Sequence, residues 1–198
     1  MIQTTLALLL FLAPLAYSPG PGNLFFAATG ARFGFAATWP ALAGYHVATW
    51  IVTLAIGLGL AAALRDHPEG MRAMRVAGAA YVLWLAWRIA SAGPLDETGD
   101  AARAGWISGA VLLILNPKAY VIIALMFSQF LSRFPLDPTA TVVLVTTIFT
   151  LNNLVAFALW SLLGDRLAAR FRSERGARGL NLTFGALLAG VAVWMLLA

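Results

Sequence analysis

With one exception, charge in this chain is confined to the margins of long apolar segments. No Asp, Glu, Lys or Arg occurs within 1–31, 33–64, 138–164 or 179–198, and each stretch supplies the roughly 20 residues that an α-helix needs to cross a hydrocarbon layer. Residues 76–87 are also free of charge between Arg75 and Arg88, whose stems can reach the interface while their heads stay wet. They predict a further span over about 71–92. Residues 104–132 form another apolar run broken by one charge, Lys118. A chain that is 61% hydrophobic and 11% charged, with a mean hydropathy of +0.84, carries more apolar surface than a soluble core can hide. Unpaired backbone amides are costly in lipid, so all six segments are expected to be helices. The predicted fold is an all-α membrane protein of six transmembrane helices forming one transporter domain over 1–198.

The net charge of +5 would suggest nucleic acid in a soluble protein. Here every basic residue except Lys118 sits at or beyond a span end, which reads as a topology signal and headgroup contact. With six spans, one face carries Arg65, Arg72, Arg75 and Arg133, and the other Arg32, Arg88, Arg103, Arg166, Arg170, Arg172, Arg175 and Arg178. Short cytoplasmic loops gather Lys and Arg, so the second face is expected to be cytoplasmic, with both termini outside. The first span lacks the basic start of a secretory signal and is expected to be retained. Cysteine is absent, excluding thiol chemistry, thiolate metal sites and redox transport. No nucleophile elbow, zinc-protease motif or phosphate-cradling loop occurs. Neither enzymatic activity nor a cofactor or metal is expected.

Two segments are interrupted near their middle by proline: Ser18-Pro19-Gly20-Pro21-Gly22-Asn23 in the first and Asn116-Pro117-Lys118 in the fourth. Pro19 and Pro21 lack amide donors, and Gly20 and Gly22 lack side chains, so no regular helix continues through them. A second half-helix is expected to begin near Gly22 or Asn23, its positive dipole end attracting an anion such as a carboxylate. The freed carbonyls of Leu15 to Tyr17 face the other way and suit an ammonium. Pro21 and Pro117 are 96 residues apart (117 − 21), close to half the chain. That spacing predicts two inverted three-helix repeats, about 1–95 and 103–198, with helices 1 and 4 broken at matching depth and a substrate site between the breaks. The candidate substrate-binding residues are Pro19, Gly20, Pro21, Gly22, Asn23, Asn116, Pro117 and Lys118.

Lys118, the sole lysine, lies too deep to reach an interface comfortably. It needs a carbonyl, a substrate carboxylate or a residue from a span end as partner. No acidic residue falls within a span, so the membrane interior offers no resident negative charge for a cationic cargo, and neutral zwitterions are favoured. Tyr45, His46, Thr49, Gln129, Asn152 and Asn153 are candidates for the cargo pathway or a proton relay, with hydrogen bonding between helices as the plainer reading of each. Small residues at interface spacing, Gly57 with Ala61, Gly59 with Ala63, Ala73 with Ala77 and Ala186 with Gly190, are expected to let helices approach closely. Trp39, Trp84, Trp87, Trp106 and Trp160 are expected near span ends.

At these residues the chain resembles the bacterial amino-acid exporters of the lysine exporter and threonine/homoserine efflux type. The resemblance runs through Ser18-Pro19-Gly20-Pro21-Gly22-Asn23 with Gly34 and Gly44, residues 77–87, Gly109, Asn116-Pro117-Lys118-Ala119 and Gln129-Phe130. It implies six helices in the cytoplasmic membrane and export of amino acids driven by the proton gradient. The chain departs from the pattern at Gly22, where the family usually has Asn or Asp, and at Ser128, where it often has Pro. The expected function is export of a small neutral amino acid or derivative by alternating access, with amino acid, lipid, the proton and a homodimeric second copy as partners. The alternatives are a channel or ion exporter on the same scaffold and a non-transporting subunit of a membrane assembly.

Overall fold

The computed structural model describes residues 1–60, 76, 79–81, 83–87, 90–91, 104–170 and 174–197. Every regular element among them is helical. Helix α1 spans Ile2–Tyr17 and α2 spans Pro21–Phe33. The chain resists helix between them: Ser18 is extended (φ −68°, ψ 147°), as is Gly20 (φ −165°, ψ 176°), and Pro21 then suits the first position of α2, where no amide donor is needed. Gly34 ends α2 at φ 82°, its amide bonding the Gly30 carbonyl at 2.9 Å, a left-handed cap that favours glycine. A short 3-10 turn over Phe35–Thr38 leads into α3, Trp39–Ala55, which runs on into a π-turn at Ile56–Leu60.

Helix α4, Trp106–Ile114, is separated from α5, Pro117–Phe130, by Leu115 and Asn116. The long α6, Pro138–Arg170, follows, and α7 covers Glu174–Leu197. The bends are 63° between α1 and α2 and 64° between α4 and α5. Taken as broken spans, these pairs join Phe35–Gly59 and Pro138–Arg170 as four helices or pairs long and apolar enough to cross a membrane among the described residues. Half of the residues of the span expected over 71–92 lie outside those described.

The surface is apolar where lipid would lie. On α6, Leu151, Val155, Leu159 and Leu163 recur every four residues on an exposed stripe, while Phe149, Asn153, Ala156, Phe157 and Gly164 face inward. Leu10 and Ile107 are more than 70% exposed, as suits side chains facing hydrocarbon. Trp39, Trp84, Trp87 and Trp106 are exposed, as an interfacial belt requires. Trp160 instead turns inward to donate to the Tyr17 carbonyl at 3.1 Å.

The two ends of the bundle are closed by different means. At the far end, α2 crosses α6 and α3 crosses α4 backbone against backbone. A Cβ on Gly164 would overlap the Ala27 carbonyl, one on Gly30 the Ser161 carbonyl, one on Gly44 the Trp106 carbonyl and one on Gly109 the Ala41 carbonyl. Helix α2, buried from Pro21 to Ala31, is held in this cluster. At the near end, contact is made by side chains: Leu8 and Leu12 of α1, Met126, Phe127 and Phe130 of α5, and Val142, Val145 and Phe149 of α6. Among the described residues these four glycines make the backbone-to-backbone approaches, and of the pairs expected from spacing only some members can be placed. Gly59 and Gly190 face open space, Gly57 meets Phe127 and Val142, and Ala61, Ala63, Ala73 and Ala77 lie outside the described residues.

Candidate functional site

The two breaks meet. Lys118, in the first turn of α5, reaches across to the first break, its Nζ donating to the Ser18 carbonyl and to Ser18 Oγ, both at 3.0 Å. A Cβ on Gly20 would lie 3.0 Å from the same Nζ, so the glycine leaves room for the ammonium at the start of α2. Asn116 caps α5, its Oδ1 accepting from the Lys118 amide at 3.2 Å. Its Nδ2 donates to Tyr45 Oη at 3.0 Å, tying the second break to α3. Asn153 of α6 flanks the same hydroxyl. On the first break, Asn23 is buried and donates to the Ala16 carbonyl at 2.9 Å.

Helix α2 has no side-chain cap, because its N-cap is Gly20. Two helix N-termini, each equivalent to roughly half a positive charge, therefore point into the space where the ammonium sits. No ion pair or metal-holding cluster of acidic residues relieves this among the described residues, so the site is electropositive. The adjoining cavity is lined by Asn23, Tyr45, Asn116, Lys118, Asn153 and Phe157, among others. Its volume is about 20 Å³, enough for a water molecule and far too small for an amino acid.

One expectation is corrected. The carbonyls of Leu15 to Tyr17 do not stand open to an ammonium group, because side chains take all three: Ser18 Oγ bonds Leu15, Asn23 Nδ2 bonds Ala16 and Trp160 Nε1 bonds Tyr17. Polar side chains lie within reach of the kink, and a buried carbonyl left bare would be costly. The half-helix also starts at Pro21, one or two residues earlier than expected.

The remaining candidates divide. Tyr45, His46, Thr49 and Asn153 are buried around the cavity or beside it on α3 and α6. His46 holds the Leu42 carbonyl with Nδ1 at 2.7 Å, while its Nε2 faces the Asn153 backbone without closing a hydrogen bond. Thr49 donates to the Tyr45 carbonyl at 2.8 Å. Asn152 is half-buried, with its Nδ2 unpartnered. Pro19 is exposed, and Gln129 sits on the exposed face of α5 away from the cluster. Two residues not singled out from sequence belong here. Ser18 receives the ammonium, and Phe157 packs its ring on Phe26, Tyr45 and His46 with centroids 5.2, 4.8 and 5.5 Å away. Ser18 was legible as the hydroxyl beside the first break, whereas nothing in the pattern marks Phe157.

Compared with known proteins, residues 13–198 match the family model described as LysE type translocator. The cysteine/O-acetylserine efflux protein of Escherichia coli (strain K12) is 33% identical over 184 residues, covering 90% of each chain. The homoserine/homoserine lactone efflux protein of Salmonella typhimurium is 27% identical over 179 residues, 87% of this chain and 86% of that protein. An uncharacterized membrane protein of Pseudomonas aeruginosa is 30% identical over 190 residues, 88% of this chain and 86% of its own. No solved structure matches the chain.

Proposed function

The chain belongs to the LysE-type translocators, and from that premise we propose that it exports a small neutral amino acid or derivative from the bacterial cytoplasm, the cargo carboxylate binding where the two breaks meet. The observation carrying this reading is the uncompensated positive charge at one point: the Lys118 ammonium lies against the uncapped start of α2 and at the start of α5. A carboxylate bound there would neutralise all three contributions at once, and charge-assisted hydrogen bonds to it would be about twice as strong as neutral ones. The amides of Asn23, Asn116 and Asn153 and the Tyr45 hydroxyl offer polar but uncharged contacts to the rest of the cargo. Lacking a carboxylate among its described residues, the site favours a zwitterion over a doubly basic amino acid. Two of the matched relatives are named for efflux of cysteine and O-acetylserine and of homoserine and its lactone; cysteine, O-acetylserine and homoserine are zwitterions of this class, whereas the lactone has no free carboxylate.

In this reading six helices form two inverted repeats in the cytoplasmic membrane, and the site becomes accessible to each face in turn. Export against a gradient would be driven by protons, with both termini on the outer side. The far end of the bundle, where Arg32, Arg166 and Arg170 cluster near helix ends, would then face the cytoplasm.

The test is counterflow of labelled O-acetylserine, cysteine or homoserine into proteoliposomes holding the purified protein and unlabelled substrate. The parent chain should show saturable exchange. Lys118→Ala should abolish it while the variant remains inserted and monodisperse. Unaltered exchange by Lys118→Ala would refute the site, and flux without saturation or exchange would point to a channel.

A further inference from the structure

A cavity of about 20 Å³ has to enlarge before it can hold or release an amino acid, so one boundary of the site must move. The far end is poorly suited to this, because glycines there set backbone on backbone across both the α2–α6 and the α3–α4 crossings. Separating those elements would break contacts along whole helix faces. The near end is closed by side chains, which can change rotamer while the helices tilt.

Helices α3 and α6 run antiparallel there in a register fixed by three contacts. His46 meets Asn153, Trp50 Nε1 donates to Thr147 Oγ1 at 3.2 Å, and Gly57 meets Val142. That register sets Thr49 level with Thr150 and Thr53 level with Thr146. The polar residues of α3 recur at i, i+3 and i+7 (His46, Thr49, Thr53) and those of α6 at i, i+4 and i+7 (Thr146, Thr150, Asn153). Each series forms one helical stripe. All six are no more than 9% exposed.

The hydroxyls of Thr53, Thr146 and Thr150, like that of Thr141 further along α6, have no hydrogen-bond partner. A single buried hydroxyl without a partner needs an explanation. Several on one seam, leading from the cavity toward the near end, mean that the closed contact is not the arrangement these side chains serve best. When the seam parts, water or a zwitterion satisfies them.

We propose that the near end opens along the α3–α6 seam, and that His46, Thr49, Thr53, Thr146, Thr150 and Asn153 wall the passage an amino acid takes between the site and that face. The proposal rests on the exporter reading. With both termini outside, this is the release passage.

The absence of cysteine makes the test direct. Thr53→Cys combined with Thr146→Cys introduces the only two thiols, and a short, reducible bis-methanethiosulfonate can bridge them in proteoliposomes. Counterflow by the unbridged double variant is the reference. Bridging should reduce it to the level of protein-free vesicles, and reductant should restore it. Exchange that survives bridging, or failure of the two thiols to bridge, overturns the passage. Loss of exchange in the parent chain instead overturns the exporter reading.

Should the double variant not fold, Thr150→Cys alone supplies the second measurement. Its labelling by a membrane-impermeant thiol reagent should rise when substrate is cycling, and labelling indifferent to substrate overturns the proposal.

Discussion

Replacing Gly164 by alanine places a methyl carbon on the Ala27 carbonyl oxygen and within 2.7 and 3.0 Å of the carbonyl carbon and Cα of that residue. The obstructing atoms are backbone of α2, so no rotamer change relieves the overlap. Restoring ordinary contact requires α2 and α6 to separate locally by about 1 Å or more, since non-bonded carbons rest some 3.5 Å apart or further. Overpacking of a close-packed interior costs about 1–3 kcal/mol, and a rigid obstacle puts Gly164→Ala at the upper part of that range. For a chain of this length each kcal/mol shifts the melting temperature by about 2–4 °C, so the variant should melt roughly 6–12 °C below the parent in detergent. Gly190→Ala is the control: a Cβ there meets nothing within 4 Å, and replacing a helical glycine contributes about 0.5–1 kcal/mol, a rise of roughly 1–4 °C. The measurement is thermal unfolding of both purified variants beside the parent. If Gly164→Ala melts within about 2 °C of the parent, the backbone-to-backbone closure of the far end is wrong.

Gly22→Ala puts its Cβ 2.5 Å from Phe157 Cζ, a ring already wedged among Phe26, Tyr45 and His46. It should cost about 1–3 kcal/mol and suppress counterflow, and wild-type values in both thermal and transport assays would contradict the geometry. Asn116→Asp keeps the acceptor that caps α5 but supplies a resident carboxylate beside Lys118. It should abolish exchange of zwitterions with little change in melting temperature, and retained exchange would show that the cargo carboxylate does not bind there.

Both breaks were legible because proline and glycine act locally: Pro19, Gly20 and Pro21 in a row, and Pro117 after an asparagine that can cap, favour ending one helix and starting another, whereas the lone Pro14 stays within α1. The need of Lys118 for a partner was legible too, since no acidic residue shares its depth; of the three kinds expected, a carbonyl, a substrate carboxylate or a span-end residue, the structure supplies a carbonyl, that of Ser18. The close crossings were not. Gly30, Gly44, Gly109 and Gly164 are set apart from Gly190 only by which helix lies opposite, and spacing within one helix carries no information about its neighbour. The loss of the Leu15–Tyr17 carbonyls to side-chain donors has the same origin, because Trp160 lies 143 residues from Tyr17. The threonine stripes fall between these cases. Their helical period stands in the sequence, but only the α3–α6 register shows that they meet and that their hydroxyls lack partners.

The latch between the breaks also bears on how cargo could trigger movement. Lys118 has three donors and spends two on Ser18, so the ammonium that links the two breaks is also, in the proposed site, the partner of an incoming carboxylate. One hydrogen remains, so a carboxylate held by two or more of the ammonium hydrogens has to draw them from Ser18. In the proposed cycle a carboxylate that draws hydrogens from Ser18 would release its carbonyl and hydroxyl, loosening α1 from α5 at the depth of the two breaks. Helix α2 is packed backbone to backbone at Gly164 and Gly30, so in the proposed cycle the loosened pair would move toward the near end, where the phenylalanines of α5 and the threonines of α3 and α6 form the boundary. Lys118→Arg separates the two functions. Arginine keeps the charge and gains donors, so it could hold Ser18 and a carboxylate together. Cargo should therefore still raise its melting temperature while counterflow falls, and counterflow equal to the parent's would show that release of Ser18 is not part of the cycle.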